Sequence, residues 1–282
     1  MKKARKRKLK TILLIVSSFM VLILCFSFIG NIKPKEKENI NGKTISFLGD
    51  SISTYEGYSN NITYNSTIGE NAVWYTSAKL SSVNDTYWMT TINDLDMELC
   101  VNNSWSGSEV CTYYDETSAG CMNRSYNLHN DNSDDYPDII IVYLGINDYY
   151  SVEGFGKYDS ISEIYNKTTK TYLLDTTSFA PAYATMMHKI VNKYNRSDIY
   201  CMNLLPIGAT KETEKLSKYN DMIKKIASDF NVKYIDLFKE SGINVSNITT
   251  YTFDGTHPTK AGHKLIADCL KKNLLKNYEL AG

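Results

Sequence analysis

Five short apolar runs, at 44–48, 99–102, 139–144, 199–204 and 232–237, alternate with stretches of helical periodicity, and this alternation is the strongest constraint on the fold. Most of the runs are continuous rather than alternating, as strands buried on both faces require. Between them, Tyr183, Met186, Met187, Ile190, Val191 and Tyr194 fall on one helical face. Leu216, Tyr219, Met222, Ile223, Ile226 and Ala227 make a second apolar face, and Pro258, Ala261, Leu265, Ile266 and Leu270 a third. Trp88, Ile92 and Leu95 mark a shorter helix before the second strand. Such a pattern predicts a mainly parallel sheet covered on both sides. The segments 108–137 and 149–178 break the pattern. Both are polar, and each follows the C-terminal end of a strand, where ligands bind in open α/β sheets.

The amino terminus is a different kind of sequence. Lys2, Lys3, Arg5, Lys6, Arg7, Lys8 and Lys10 precede an uncharged run from Thr11 to Gly30, whose apolar part, 12–29, is nearly long enough to cross a bilayer. Residues 1–30 are therefore read as a cytoplasmic basic segment plus a single-pass transmembrane anchor, with a cleaved signal peptide as the alternative. Residues 31–42 read as a polar tether, and 43–282 as the main folded domain outside the cell membrane, or secreted if cleavage occurs. The net charge of zero hides this division: ten Lys/Arg lie in residues 1–40, leaving 21 basic and 29 acidic residues in the rest. An acidic body of this kind offers no footprint for nucleic acid.

Cofactor and metal signatures are missing. The sequence holds no H-E-x-x-H, no phosphate-binding G-x-x-x-x-G-K-[ST] and no C-x-x-C, and Gly154-Phe155-Gly156 lacks the third glycine of a dinucleotide loop. No cofactor and no metal is expected. Cys111 and Cys121 share a polar loop and could bridge outside the cell; core packing is the other reading of the cysteines of the body.

Four segments carry chemistry: Gly49-Asp50-Ser51-Ile52 after the first strand, Asn103-Ser104-Trp105-Ser106-Gly107-Ser108 after the second, Gly145-Ile146-Asn147-Asp148 after the third, and Asp254-Gly255-Thr256-His257-Pro258 after the fifth. All fall at one edge of the expected sheet. A Ser, a His, an Asp, an Asn and close-approach glycines on one rim are the parts of an acyl-transfer site. Gly-Asp-Ser alone arises by chance; the four together, in this order, resemble the SGNH (GDSL-type) hydrolase family over about residues 43–275.

The resemblance implies an α/β fold, a three-layer α/β/α sandwich of flavodoxin type with about five parallel strands. It assigns Ser51 as nucleophile, with His257 as base and Asp254 completing the triad, and an oxyanion hole from Ser51, Gly107 and Asn147. The chemistry agrees: imidazole titrates near neutral pH, and a carboxylate three residues earlier can reach its far nitrogen in a compact turn. Asp50 and Asp148 are assigned to structural hydrogen bonding, and His129, His188 and His263 to surface or packing roles. Tyr149, Tyr150 and Trp105 are the candidate substrate-binding residues, and Tyr55, Tyr58, Trp74 and Tyr75 lie near the same rim, where aromatics can stack on sugar rings or simply pack loop bases. The expected activity is hydrolysis of small acyl esters through an acyl-Ser51 intermediate, with O-acetyl groups on polysaccharide or cell-envelope glycan first. A lipase or lysophospholipase, an acyltransferase, and a non-catalytic carbohydrate-binding module on the same fold are the alternatives. Oligomeric state is left open.

Overall fold

In the computed structural model, residues 37–58, 73–111, 123–130, 136–151, 154–208 and 213–280 are described. Five strands, β1 (Thr44–Gly49), β2 (Glu98–Ser104), β3 (Ile139–Tyr143), β4 (Asp198–Met202) and β5 (Lys233–Ile235), form one sheet in the order β2-β1-β3-β4-β5. Every neighbouring pair is parallel. All five expected strands are present. The central strand β3, Ile-Ile-Ile-Val-Tyr, is buried throughout, which accounts for its unbroken apolar run.

The main helices are α1 (Tyr87–Asp94), α2 (Ile146–Tyr150), α3 (Phe179–Lys193), α4 (Thr213–Asp229) and α5 (Lys260–Leu274). Helix α1 packs on α5, and α3 packs on α4. The strand order carries the chain one way from β1 to β2 and the other way from β3 through β4 to β5, and with the right-handed crossovers that parallel strands favour this puts the two helix pairs on opposite faces. The result is the expected α/β/α sandwich. Its strand order reverses between β1 and β3, and the crevice at such a switch is where this architecture binds ligands.

Two features depart from the sequence pattern. Within 154–178, Tyr165–Asn166 and Thr171–Tyr172 pair as an antiparallel hairpin. Segment 154–178 also covers the start of α3: Gly154 and Phe155 carbonyls accept from the N–H groups of Phe179 and Ala180. Helix α3 is therefore buried continuously from Phe179 to Met187 rather than along one stripe.

Residues 39–282 form one unit and 1–38 another. Ile40, in the stretch read as tether, is buried and donates its N–H to the carbonyl of Glu279. The expected transmembrane anchor at 1–30 lies outside the described residues; among the described residues, no helix is long and apolar enough to cross a membrane.

Candidate active site

The register of the sheet sets the site. Gly49 at the end of β1 lies beside Ser104 of β2 and Tyr143 of β3, so the three segments that follow leave the sheet side by side. After Gly49 the chain turns at once into a single 3-10 turn, Ser51–Ser53, capped by Asp50, whose carboxylate accepts from the Ile52 N–H at 3.0 Å. Gly49 is required by close approach: a Cβ there would sit 2.5 Å from Ser53 Oγ and 2.9 Å from Ser104 Oγ.

Asp254, Gly255, Thr256 and His257 form a compact turn that ends before α5. One oxygen of Asp254 accepts from the backbone N–H groups of Thr256 at 3.0 Å and His257 at 2.8 Å. The other lies 2.7 Å from His257 Nδ1. On the far side of the ring, His257 Nε2 lies 2.9 Å from Ser51 Oγ. The three residues are thus in line across 206 positions of sequence. Burial would raise the Asp254 carboxyl, but the hydrogen bonds and charge of His257 outweigh it and hold it below the ordinary range. Burial pulls His257 below the usual imidazole value against the raising effect of Asp254, with Lys79 lowering it further. A neutral imidazole that donates from Nδ1 to Asp254 can accept the serine proton at Nε2.

The expected oxyanion donors are arranged beside Ser51. Gly107 has φ of +76°, a left-handed conformation that suits glycine, and it sits in open space. No acceptor among the described residues takes the N–H of Ser51 or of Gly107. Asn147, in the first turn of α2, donates one amide N–H to the Ser108 carbonyl at 2.8 Å. That bond aims the amide and leaves its second N–H for another acceptor.

Beneath these donors lies a buried layer of charge. Asp148 accepts from the N–H groups of Val110 at 3.0 Å and Cys111 at 3.1 Å. Burial pushes Asp50 up to about 7 and Asp148 up to about 6. Both serve structural hydrogen bonds, as expected. The counter-charge is Arg124, which sequence reasoning missed. It is buried, donates to the carbonyls of Gly49 and Asn103 at 2.8 Å each, and also donates to Ser108 Oγ. Burial pulls its guanidinium down to about 9. One side chain thereby ties the ends of β1 and β2 to the loop that carries Gly107. A faint signal existed: Arg124 is the one Lys or Arg between Ser108 and Pro137.

Glu109, Cys111 and Asp148 bring their ligand atoms within 4.8 Å of one another, the one such cluster among the described residues. The Cys111 thiol donates to Asp148 at 3.0 Å, and burial raises it, so it is held protonated. With Asp148 also taken by two backbone N–H groups, the cluster reads as a locked turn rather than a ligand set. Cys111 is a free thiol, whereas Cys121 lies outside the described residues.

Of the three residues expected to touch substrate, Tyr150 alone presents its ring, being 55% exposed, and its hydroxyl lies 3.0 Å from Thr256 Oγ1. Tyr149 and Trp105 are corrections: they are 3% and 6% exposed, so neither offers a face to a sugar. Tyr149 packs on Tyr219, and Trp105 lies over the Arg124 guanidinium. Trp74, expected either to stack on sugars or to pack a loop base, packs against the catalytic base. Its indole stacks on His257, with ring centres 3.8 Å apart and planes 4° apart. Phe253, which precedes Asp254, is 48% exposed and adds an aromatic edge that the sequence reading passed over. Of the other histidines, His263 is fully buried, as a packing residue should be.

A family model described as GDSL-like lipase/acylhydrolase matches residues 43–274. Among solved structures, a GDSL-like lipase from Bacteroides ovatus is 25% identical with a TM-score of 0.62, covering 84% of this chain and 99% of its own. An acetyl xylan esterase from Geobacillus stearothermophilus is 18% identical with a TM-score of 0.51, covering 86% of this chain and 99% of its own. A family two carbohydrate esterase from Clostridium thermocellum, solved with cellohexaose, is 20% identical with a TM-score of 0.53, covering 86% of this chain and 65% of its own. No curated protein matches.

Proposed function

Because the chain belongs to the GDSL-like lipase/acylhydrolase family, we propose that it is an extracytoplasmic serine esterase that removes small acyl groups, O-acetyl first, from polysaccharide or cell-envelope glycan. The observation that carries the reading is the line Asp254–His257–Ser51, with contacts of 2.7 and 2.9 Å.

Each step uses groups of this chain. Ser51 Oγ attacks the acyl carbon while His257 Nε2 takes its proton, and Asp254 stabilises the imidazolium that forms. The new charge on the carbonyl oxygen falls to the N–H groups of Ser51 and Gly107 and the free amide N–H of Asn147. Such a donor is worth about 3–4 kcal/mol in the transition state. Collapse breaks the ester C–O bond, and His257 returns the proton to the departing hydroxyl oxygen. Water then attacks acyl-Ser51 with His257 again as base, releasing the carboxylic acid and restoring the serine.

The substrate class rests on the rim. Tyr150 and Phe253 are exposed aromatic faces of the kind that pack on sugar rings. Two neighbours of the same fold are carbohydrate-directed esterases, and the proposal extends that ester class to this chain. The extracytoplasmic side rests on the basic cluster before the apolar run at 12–29.

The test compares p-nitrophenyl acetate with longer acyl esters, using the full chain and Ser51→Ala. Turnover lost in Ser51→Ala and greatest on acetate is expected. A preference for long chains would replace the proposal with a lipase. A Ser51 that neither turns over an ester nor reacts with a fluorophosphonate would replace it with a binding module.

A further inference from the structure

Resting on the esterase reading, we propose that Trp74, steadied by Lys79, is a positioning residue for the base: it holds the His257 ring in line with Ser51 and shields the cation that forms there during turnover. Three sets of contacts carry the inference. First, the near-parallel stack at 3.8 Å leaves the imidazole no room to tilt toward the indole. Second, the segment bearing Trp74 is tied to both catalytic loops. The Trp74 N–H donates to Thr54 Oγ1 at 2.9 Å, and the Thr54 hydroxyl donates to the Ser51 carbonyl at 2.8 Å. Next in sequence, the buried Tyr75 donates its hydroxyl to the Pro258 carbonyl at 2.9 Å, directly after His257. Residues 74 and 75 therefore span nucleophile turn and base turn. Third, Lys79 is anchored on Trp74, its ammonium 3.6 Å from the ring centre and donating to the Trp74 carbonyl at 2.9 Å.

The electrostatics give this arrangement two opposed effects. An indole face attracts an imidazolium, favouring the charged state of His257 when it has taken the serine proton. The Lys79 charge acts the other way and opposes protonation of His257. The groups facing His257 are Asp254 on its own loop, Ser51 from the turn after β1, the Tyr75 phenol, the neutral buried His263 of α5, and Lys79. Of these, Lys79 is the exposed charge whose removal leaves both hydrogen bonds of the imidazole in place.

The experiment uses the full chain and four proteins: wild type, Trp74→Phe, Trp74→Leu and Lys79→Gln. It reads kcat and KM on p-nitrophenyl acetate against pH, and indole emission against pH. Trp74→Leu is expected to lower kcat about tenfold with little change in KM, and Trp74→Phe to recover most of it, because a flat ring still stacks. Lys79→Gln is expected to move the acid limb up by about half a pH unit, since losing a nearby cation makes His257 easier to protonate. Wild-type emission should fall as His257 protonates, with the same midpoint as the acid limb, and should move with it in Lys79→Gln. A sugar platform at Trp74 would raise KM on an acetylated glycan and leave kcat on p-nitrophenyl acetate alone, which would overturn the proposal. Equal losses in Trp74→Phe and Trp74→Leu with an unmoved profile in Lys79→Gln would also overturn it. The emission titration needs no turnover. If emission tracks His257 while no Ser51-dependent turnover is found, the esterase reading fails alone; if turnover depends on Ser51 and neither profile moves, this inference fails alone.

Discussion

The two sides of the site are built on different physical terms. The oxyanion side, at the ends of β1, β2 and β3, is buried and rests on a fixed hydrogen-bond network: Arg124 below Gly49, Asn103 and Ser108, with Asp50 and Asp148 alongside. The base side is a four-residue turn near the surface, where Asp254 is half open to solvent and the His257 ring is held in place by hydrogen bonds and the Trp74 stack. Donors for a developing charge gain most from a rigid, water-poor setting. A base must instead gain and lose a proton, and a solvent-near turn leaves its proton affinity adjustable. The difference teaches that rigidity is concentrated where charge is stabilised and adjustability where protons move.

The comparison breaks most severely at Arg124. Arg124→Met removes donors from two backbone carbonyls and Ser108 Oγ while leaving Asp50 buried without its counter-charge. Loss of one partner from such a buried network costs about 3–5 kcal/mol, read as a lowered midpoint in denaturant. Arg124→Lys should fall between, because an ammonium keeps the charge but cannot span three acceptors in a planar fork. A loss below about 1 kcal/mol for Arg124→Met would mean that the oxyanion side does not rest on it.

Asn147→Ala separates support from chemistry on the same side. The Ser108 carbonyl loses a donor at the half-buried edge of α2, but the buried charges stay in place. Stability should change little, whereas kcat should fall about 100- to 1000-fold, the usual cost of one oxyanion donor. The readout is kcat on p-nitrophenyl acetate beside a denaturation curve. Equal kcat in wild type and variant would remove Asn147 from the oxyanion hole.

The same contrast decides what was legible in the sequence. Ile139–Tyr143 announces a doubly covered strand because burial on both faces demands an unbroken apolar run. Ser51 and His257 were legible because their chemistry limits the residue types and the sheet edge fixes their order. Arg124 was not, because nothing local shows that a lone Arg in a polar segment will find Gly49, Asn103 and Ser108 around it. Tyr149 and Tyr150 were read alike, yet adjacent residues on a helix point about 100° apart, so one had to turn inward. The sequence leaves Trp74 open between stacking on sugars and packing loop bases, because the stack on His257 joins residues 183 positions apart and only the folded chain brings them together.

A smaller effect lies beneath the base side. His263 is fully buried, its Nδ1 accepting the Tyr87 N–H at 3.1 Å while Nε2 meets no partner, and burial pulls it down to about 3. The unfolded chain protonates this residue below about 6.5, and the folded chain resists until about pH 3. Its contribution to stability is therefore complete above 6.5 and lost as pH falls, at about 1.4 kcal/mol per pH unit. Asp50 and Asp148 have the opposite sign. Their folded values are raised, so acidification toward 4 favours the folded state on the oxyanion side. His263→Asn, whose Oδ1 can replace Nδ1 as acceptor, should lower stability at pH 7.5 through lost packing. The deficit should shrink by about 2.3 kcal/mol between pH 6.5 and 4.5, because the variant has no imidazole to protonate. Denaturation curves of both proteins across that range check it, and a constant deficit would mean that His263 protonates normally in the folded protein.

The smallest expected effect falls where the two sides meet. Tyr150 projects from α2 on the oxyanion side, and its hydroxyl lies 3.0 Å from Thr256 Oγ1 in the base turn. Both groups are open to water, so Tyr150→Phe exchanges a protein hydrogen bond for solvent bonds, and stability should change by less than about 0.5 kcal/mol. Turnover of p-nitrophenyl acetate should change less than about threefold, since a substrate this small needs no contact with the rim. A polymeric acetylated glycan should behave differently. If sugar rings cross between Tyr150 and Phe253, the retained aromatic face of Tyr150→Phe keeps KM close to wild type, and Tyr150→Ala raises it while leaving kcat on the small ester alone. That split would show the ring of Tyr150 acting as a binding surface. A fall in kcat on both substrates in Tyr150→Phe would show instead that the hydroxyl bridge to Thr256 holds the base turn in register, and the adjustable side of the site would then lean on the rigid one.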